Sequence, residues 1–404
     1  MKRSRPAVRA LLVLLAIAII APLIILAWQL RSEPDNALRS PAINTLGERE
    51  QQVARGGYLA RAGDCMACHT ARGGAMLAGG RAIPTPFGDM VAPNITPDRK
   101  TGIGDWSADD FWRALHNGKG PDGRFLYPVF PYQNYTRISR ADSDAMYAWF
   151  QTVPPVSQPN QPHALRFPYN QRLLLAGWRA LYFRPGVFEP VAGQSAEWNR
   201  GAWLVQGPGH CNACHTARNA LGATDTGADL AGGMIPIVNW YAPSLTSDAE
   251  SGIGGWTVPE LAQWLKTGVS ERGAVFGPMS EVVRESLQHL PDSDIRAMSV
   301  YLKSLPQAGA TVSEATARDT GRTAAQALRQ QGAALYDKQC ASCHGSQGEG
   351  AGLAYPPLAG NRALTSASAI NPIRMVLHGG YPPSTAGNPR PYGMPPFGPS
   401  MSDT

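Results

Sequence analysis

All six cysteines of the 404-residue chain fall in three copies of one pattern. They are Cys65-Met66-Ala67-Cys68-His69, Cys211-Asn212-Ala213-Cys214-His215 and Cys340-Ala341-Ser342-Cys343-His344. Each reads Cys-x-x-Cys-His, the attachment sequence for a c-type haem. Two thiols so spaced can add to the two vinyl groups of one macrocycle. The adjacent histidine then lies under the iron as an axial ligand. Other readings of paired cysteines fit less well. A thioredoxin-like pair needs no histidine directly after it. A disulfide across two residues closes too small a loop to staple a fold. A structural zinc site would bring two pairs together at short separation, and these lie far apart in the chain. Three covalently bound haem c groups, each with its iron, are the expectation.

Haem iron takes a second axial ligand, and a methionine thioether in that place raises the potential. In the second segment Gly277-Pro278-Met279 offers one ahead of the closing helix, so Met279 is the expected ligand. In the third, Gly393-Met394-Pro395-Pro396-Phe397 offers Met394. The first segment breaks the pattern. Its loop reads Tyr127-Pro128-Val129-Phe130-Pro131-Tyr132, and a phenyl ring cannot ligate iron. Met76, Met90 and His116 are the substitutes in sequence, and spacing singles out none of them. A first haem with an open position leaves room for an alternative, a peroxidase-like haem enzyme. Nothing else resembles a centre for bond-making chemistry. There is no nucleotide-binding glycine fingerprint after a strand and no nucleophile elbow. No catalytic residue is assigned, and the chain is expected to carry electrons and not to be an enzyme by itself. Trp106, Trp256, Tyr132 and Arg113 are candidates for haem edges or propionates, and equally for core or surface.

The elements that must position these residues repeat along the chain. A helical segment precedes each motif: Arg55-Gly56-Gly57-Tyr58-Leu59, Arg200-Gly201-Ala202-Trp203-Leu204 and, less closely, Gln331-Gly332-Ala333-Ala334-Leu335. A small residue beside a large one suits a close helix crossing. After the first two motifs the match is long. Ala92-Pro93-Asn94-Ile95-Thr96-Pro97-Asp98 leads to Thr101-Gly102-Ile103-Gly104-Asp105-Trp106 and a helix ending at Gly118. Ala242-Pro243-Ser244-Leu245-Thr246-Ser247-Asp248 leads to Ser251-Gly252-Ile253-Gly254-Gly255-Trp256 and a helix ending at Gly268. Ser107 and Thr257 read as N-caps, and Pro259 suits a first turn. Closing helices are expected after Ser139 and Pro291.

These repeats set the boundaries. Residues 1–9 read as a cytoplasmic tail, 10–30 as a transmembrane anchor and 31–45 as a polar tether. A first haem domain spans 46–152. A Pro-rich connector covers 153–194, with an apolar helix over Arg172–Phe183 expected to pack between domains or, less simply, to dock a partner. A second domain spans 195–306, a linker 307–322 and a third domain 323–404. The third ends at Ser402-Asp403-Thr404, which reads as the N-cap of a closing helix, so a weakened domain without that helix is expected.

The anchor run from Ala10 to Leu30 carries no charge and is long enough to span a bilayer. Lys2, Arg3, Arg5 and Arg9 precede it, which places the N-terminus in the cytoplasm and the body outside. A cleaved signal peptide fits less well, because no small-x-small site closes the run. The bacterial inner membrane, with the domains on the periplasmic side, is the expected location. Lys and Arg number 36 against 30 Asp and Glu, a formal charge of +6. With those N-terminal positives set aside the body is close to neutral, which argues against binding nucleic acid. The 43 glycines and 35 prolines imply many loops, which buried macrocycles would help to hold in a folded core.

The three Cys-x-x-Cys-His motifs, the Asn-Ile-Thr and Thr-Gly-Ile-Gly blocks, the Tyr127–Tyr132 loop and Gly277-Pro278-Met279 together resemble the membrane-bound triheme cytochrome c subunits of bacterial periplasmic dehydrogenases. The resemblance covers about residues 46 to 404. It implies a mostly α fold with three class I cytochrome c-like domains in tandem after an N-terminal transmembrane helix. It also implies a periplasmic dehydrogenase partner whose donor is a molybdopterin with iron–sulfur centres, a flavin or a quinone cofactor. Ubiquinone or another carrier of the respiratory chain is the implied acceptor. Phe130 resembles the aldehyde- and N-heterocycle-oxidising branch more than the alcohol branch, which usually shows methionine there.

Overall fold

A computed structural model of the chain describes residues 5–31, 45–248, 252–307, 322–366 and 368–400. The start of the cytoplasmic tail, nearly all of the tether and the 307–322 linker, and Ser402–Thr404 lie outside the described residues. Two compact units emerge: the described parts of Met1–Gly57 with His69–Phe188, and of Tyr58–Cys68 with Glu189–Thr404. The expected second and third haem domains therefore fall in one unit.

The first unit begins with α1 (Arg5–Leu30), in which Arg9–Gln29 is long and apolar enough to cross a membrane and most of the described side chains are exposed. Next come α2 (Leu46–Ala62), which runs on into the second unit, and α3 (Cys65–His69), of which only His69 belongs to the first. The antiparallel pair β1 (Ala82–Thr85) and β2 (Gly88–Val91) follows, in register Ala82↔Val91 and Thr85↔Gly88. In α4 (Ala108–Asn117) both ends are written in the sequence. Ser107 and Asp110 form a capping box, and Gly118 closes the helix in the left-handed region at φ 60°. Its Phe111, Trp112, Ala114 and Leu115 are buried, the stripe an amphipathic helix presents to a core. That face meets α5 (Tyr132–Tyr135) and α6 (Arg140–Phe150). In α2, a Cβ on Gly56 would lie 1.9 Å from the Ala145 carbonyl oxygen of α6, so only glycine permits this crossing. β3 (Ala164–Leu165) extends the sheet beyond β2. The connector helix is shorter than expected: a 3-10 turn over Arg172–Leu174 leads into α7 (Leu175–Tyr182), which packs against α1. Buried Arg179 joins the two, donating to Gln29 Oε1 (3.0 Å) and to the Asn117 carbonyl (2.6 Å).

The second unit repeats the plan. It holds α8 (Ala196–Gln206), α9 (Asn212–His215), the pair β4 (Gly233–Ile235) and β5 (Trp240–Ala242), and α10 (Val258–Thr267). Thr257 and Glu260 form the capping box of α10, Pro259 sits in its first turn, and Gly268 is its left-handed C-cap at φ 80°. The pair β6 (Val269–Ser270) and β7 (Gly273–Ala274) leads to α11 (Pro278–Glu285) and α12 (Asp292–Ser304). Ile295, Met298, Tyr301 and Leu302 of α12 are buried where it packs along α8 and α10. Gly201 of α8 repeats the role of Gly56: its Cβ would lie 1.9 Å from the Ala297 carbonyl oxygen. The rest of this unit is α13 (Arg322–Gln339), α14 (Ala341–His344), α15 (Arg362–Thr365) and α16 (Ile370–His378). Gly332 of α13, the third small residue of the repeat, has no described atom within 4 Å of where a Cβ would stand.

Tyr58 and Arg61, although carried on α2, bond within the second unit. Tyr58 donates its hydroxyl to Asp294 (2.7 Å), and Arg200 grips the same carboxylate at 2.8 and 3.0 Å.

Candidate haem-binding sites

The motif spacing becomes meaningful on a helical turn. Positions i, i+3 and i+4 share one face of a helix, so two thiols and an imidazole project to one side. α3 spans the whole of Cys65–His69; Cys211 and Cys340 are the N-caps of α9 and α14. All six cysteines are free thiols, with no disulfide among them. Burial pushes Cys65 and Cys211 up to about 12, aided at Cys65 by the neighbouring Asp64 and Cys68. Burial also raises Cys214 and Cys340. A bare metal ion would need further ligands gathered beside each pair. Among the described residues no group of three or more His, Cys, Asp or Glu is gathered to hold one. The set fits a macrocycle that brings its own iron and takes the sulfurs as thioethers.

The three histidines share one geometry. His69 Nδ1 donates to the Pro93 carbonyl at 2.7 Å, His215 Nδ1 to that of Pro243 at 2.7 Å, and His344 Nδ1 to that of Pro356 at 2.9 Å. A carbonyl can only accept, so the proton is on Nδ1 and the Nε2 lone pair is left for a metal. Burial lowers His69, and lowers His215 to about 4, which keeps both imidazoles in the neutral ligating form. The backbone repeats as well. The carbonyls of His69, His215 and His344 accept from the amides of Gly79 (2.7 Å), Gly232 (2.8 Å) and Gly350 (2.8 Å). Those glycines have φ of 77°, 93° and 72°, a region in which a side chain is strained.

The proline acceptors were not recognised from the sequence, although Ala92-Pro93 and Ala242-Pro243 hold equivalent places in the repeat. The loops that carry them are tied internally. Thr96 donates from its amide and hydroxyl to Asn94 Oδ1 at 2.9 and 2.7 Å, and Asn94 Nδ2 donates to the Val156 carbonyl at 2.7 Å. In the second copy Thr246 N donates to Ser244 Oγ at 3.1 Å. The following Gly-Ile-Gly turn folds back so tightly that a Cβ on Gly102 would lie 2.1 Å from the Thr96 oxygen. One on Gly252 would lie 2.3 Å from the Thr246 oxygen.

The expected second ligands sit on differently built loops. Met279 is the second residue of α11, whose N-cap Gly277 has a φ of 61°. Met394 is fixed by a two-bond bridge, accepting from Gly380 N (3.0 Å) and donating to Gly380 O (2.8 Å). Phe130 rests against Tyr135, ring centroids 5.2 Å apart. Of the substitutes in the first segment, Met76 is 46% exposed and Met90 is buried on β2. His116 lies flat on Trp112 at 4.3 Å and donates Nδ1 to the Thr136 carbonyl at 3.0 Å. Tyr132 is buried under Phe183, Arg113 pairs with Asp110 at 3.1 Å, and Trp256 packs edge-on to Trp264.

A family model described as Cytochrome c matches residues 330–404. The chain is 44% identical over 359 residues to a component of the nicotinate dehydrogenase of Pseudomonas putida, a match that covers 87% of this chain but only 29% of that protein. It is 40% identical over 365 residues to the cytochrome c subunit of the quinone alcohol dehydrogenase of Gluconacetobacter polyoxogenes, covering 87% of this chain and 77% of the relative. It is also 40% identical over 368 residues to the gluconate 2-dehydrogenase cytochrome c subunit of Pantoea cypripedii, covering 87% and 82%. These names describe parts of dehydrogenases, and none supports the peroxidase-like alternative.

Proposed function

Because the chain belongs to the family of cytochrome c subunits of dehydrogenase complexes, whose cytochrome c domains hold haem covalently, we propose that it is a membrane-anchored electron-transfer subunit with three haems. The observation that carries this reading is the threefold repetition of one ligand geometry, with Nδ1 spent on a proline carbonyl and Nε2 left over. A c-type haem supplies a one-electron carrier whose potential follows its axial ligands, its burial and nearby hydrogen bonds.

The side chains divide the work. Cys65, Cys68, Cys211, Cys214, Cys340 and Cys343 tether the three macrocycles. His69, His215 and His344 are the proximal ligands, oriented by Pro93, Pro243 and Pro356. Met279 and Met394 complete the second and third irons. The first segment has Phe130 in that slot, so its haem differs in ligation and hence in potential. α1 anchors the subunit in the inner membrane with the haem segments on the periplasmic side. Electrons enter from a dehydrogenase partner, of molybdopterin/iron–sulfur, flavin or quinoprotein type, and leave to ubiquinone or another carrier. The chain needs no catalytic residue of its own for this.

The test uses the full chain in detergent with the dehydrogenase encoded beside its gene. Fast reduction of the haems by that enzyme and its substrate, followed by re-oxidation by a soluble ubiquinone analogue, is expected. Rapid peroxide turnover by the isolated subunit, with no reduction by the dehydrogenase, would overturn the proposal.

A further inference from the structure

In the second unit, the guanidinium of Arg362 lies against two indoles, 5.4 Å from the Trp256 ring centroid and 5.4 Å from that of Trp264. Its Nη1 donates to the Ser244 carbonyl at 3.1 Å. Among the described residues no carboxylate forms an ion pair with it. Arg362 is partly buried, and that desolvation lowers it to about 10. A charge in that condition is costly unless an anion reaches it.

Its surroundings say which anion. Ser244, which Arg362 holds, directly follows Pro243, whose carbonyl orients His215. The same stretch is gripped at a second point. Asn371 of α16 accepts from Tyr241 N at 2.9 Å and donates to Tyr241 O at 2.7 Å. Arg362 and Asn371 both belong to the third haem segment, and Tyr241, Ser244, Trp256 and Trp264 to the second. A c-type haem on Cys211 and Cys214 would carry two propionate carboxylates, anions of the kind this arginine lacks.

We propose that Arg362 is the counter-charge for a propionate of the haem held at Cys211–His215, so that the third segment completes the pocket of the second haem. This rests on reading Cys211–His215 as a haem site. A fixed positive charge near an iron disfavours the ferric state, which carries one more positive charge, and so raises the potential. Arg362 thus acts as a positioning and tuning residue and makes the potential of the second haem depend on docking of the third segment.

The experiment is a redox titration and resonance Raman study of the full chain, unaltered and as R362Q and R362K. The wave that C211S/C214S abolishes identifies the second haem. In R362Q that wave is expected to move to lower potential while the other two stay, and the propionate bending bands shift. R362K, which keeps the charge but loses the planar fork, should recover part of the potential and keep shifted bands. Three haems retained with unmoved potential and bands in R362Q would overturn the proposal. If R362Q does not assemble, unshifted bands in R362K overturn it. Absence of haem on the 211–214 peptide of the unaltered chain, seen by mass spectrometry, would instead sink the haem reading.

Discussion

Replacing Gly201 by alanine sets two known effects against each other. Alanine favours a helix interior over glycine by about 1 kcal/mol. At Gly201, however, the new Cβ would stand 1.9 Å from the Ala297 carbonyl oxygen and 2.9 Å from Tyr301 Cβ. Ordinary contact begins near 3.4 Å, so α8 and α12 must part by about 1.5 Å, the difference between 3.4 and 1.9. The obstacle is backbone and cannot rotate away. Ala202, Leu204 and Val205 beside it are buried to 1% exposure or less, so separation loosens the whole seam. Overpacking costs about 1–3 kcal/mol, and the upper end applies here. Net of propensity, G201A should destabilise by about 2 kcal/mol. Hydrogen exchange in the full chain should then show protection of α8 and α12 amides falling about 30-fold, since tenfold is about 1.4 kcal/mol. The same change at Gly332 meets no described atom within 4 Å and should stabilise α13 by up to about 1 kcal/mol. Unchanged or higher protection in G201A would refute the argument that crossing distance fixes this residue.

Two further perturbations follow from the helix ends and from Asp294. Burial raises the Asp294 pKa, but the hydrogen bonds from Arg200 and Tyr58 and the charge of Arg200 outweigh it and hold the carboxyl below its usual range. With the folded value below the unfolded one, this stabilisation is present above about pH 4 and is lost as pH falls through the folded value. D294N should therefore cost about 1–2 kcal/mol in denaturant titrations at pH 7, allowing for the partly exposed Arg200, and the gap should close in acid. A cost that does not change with pH would contradict this. Thr257→Ala removes one half of the capping box on α10, whose other half is the 2.7 Å bond from Thr257 N to Glu260. It should cost about 1 kcal/mol, seen as faster amide exchange in the first turn of α10.

Much of the local architecture was readable because single residues encode it. Ser107, Thr257, Gly118 and Gly268 terminate helices by short-range chemistry, and the structure places each where the pattern put it. Gly56 and Gly201 mark crossings because a Cβ is intolerable there. The strand pairs were not anticipated: runs of two to four residues show no period that a sequence scan can find. The proline acceptors escaped notice because a backbone carbonyl leaves no side-chain signature. Arg362 escaped for another reason. Its meaning depends on Ser244 and Trp256, more than a hundred positions away, and a lone arginine reads as solvated surface. The joining of the second and third segments in one unit is long-range in the same sense. Met279 and Met394 are expected as ligands from loop position alone, whereas Phe130 marks a site where that reasoning has no donor to name.

The central claim is that each cysteine pair carries covalent haem. Intact-mass measurement of the full chain produced with a cytochrome c maturation system, joined to peptide mapping, tests it directly. The account predicts a mass higher by three haems, with thioether-linked peptides at Cys65/Cys68, Cys211/Cys214 and Cys340/Cys343. Unmodified or disulfide-linked cysteines at any of the three would contradict it.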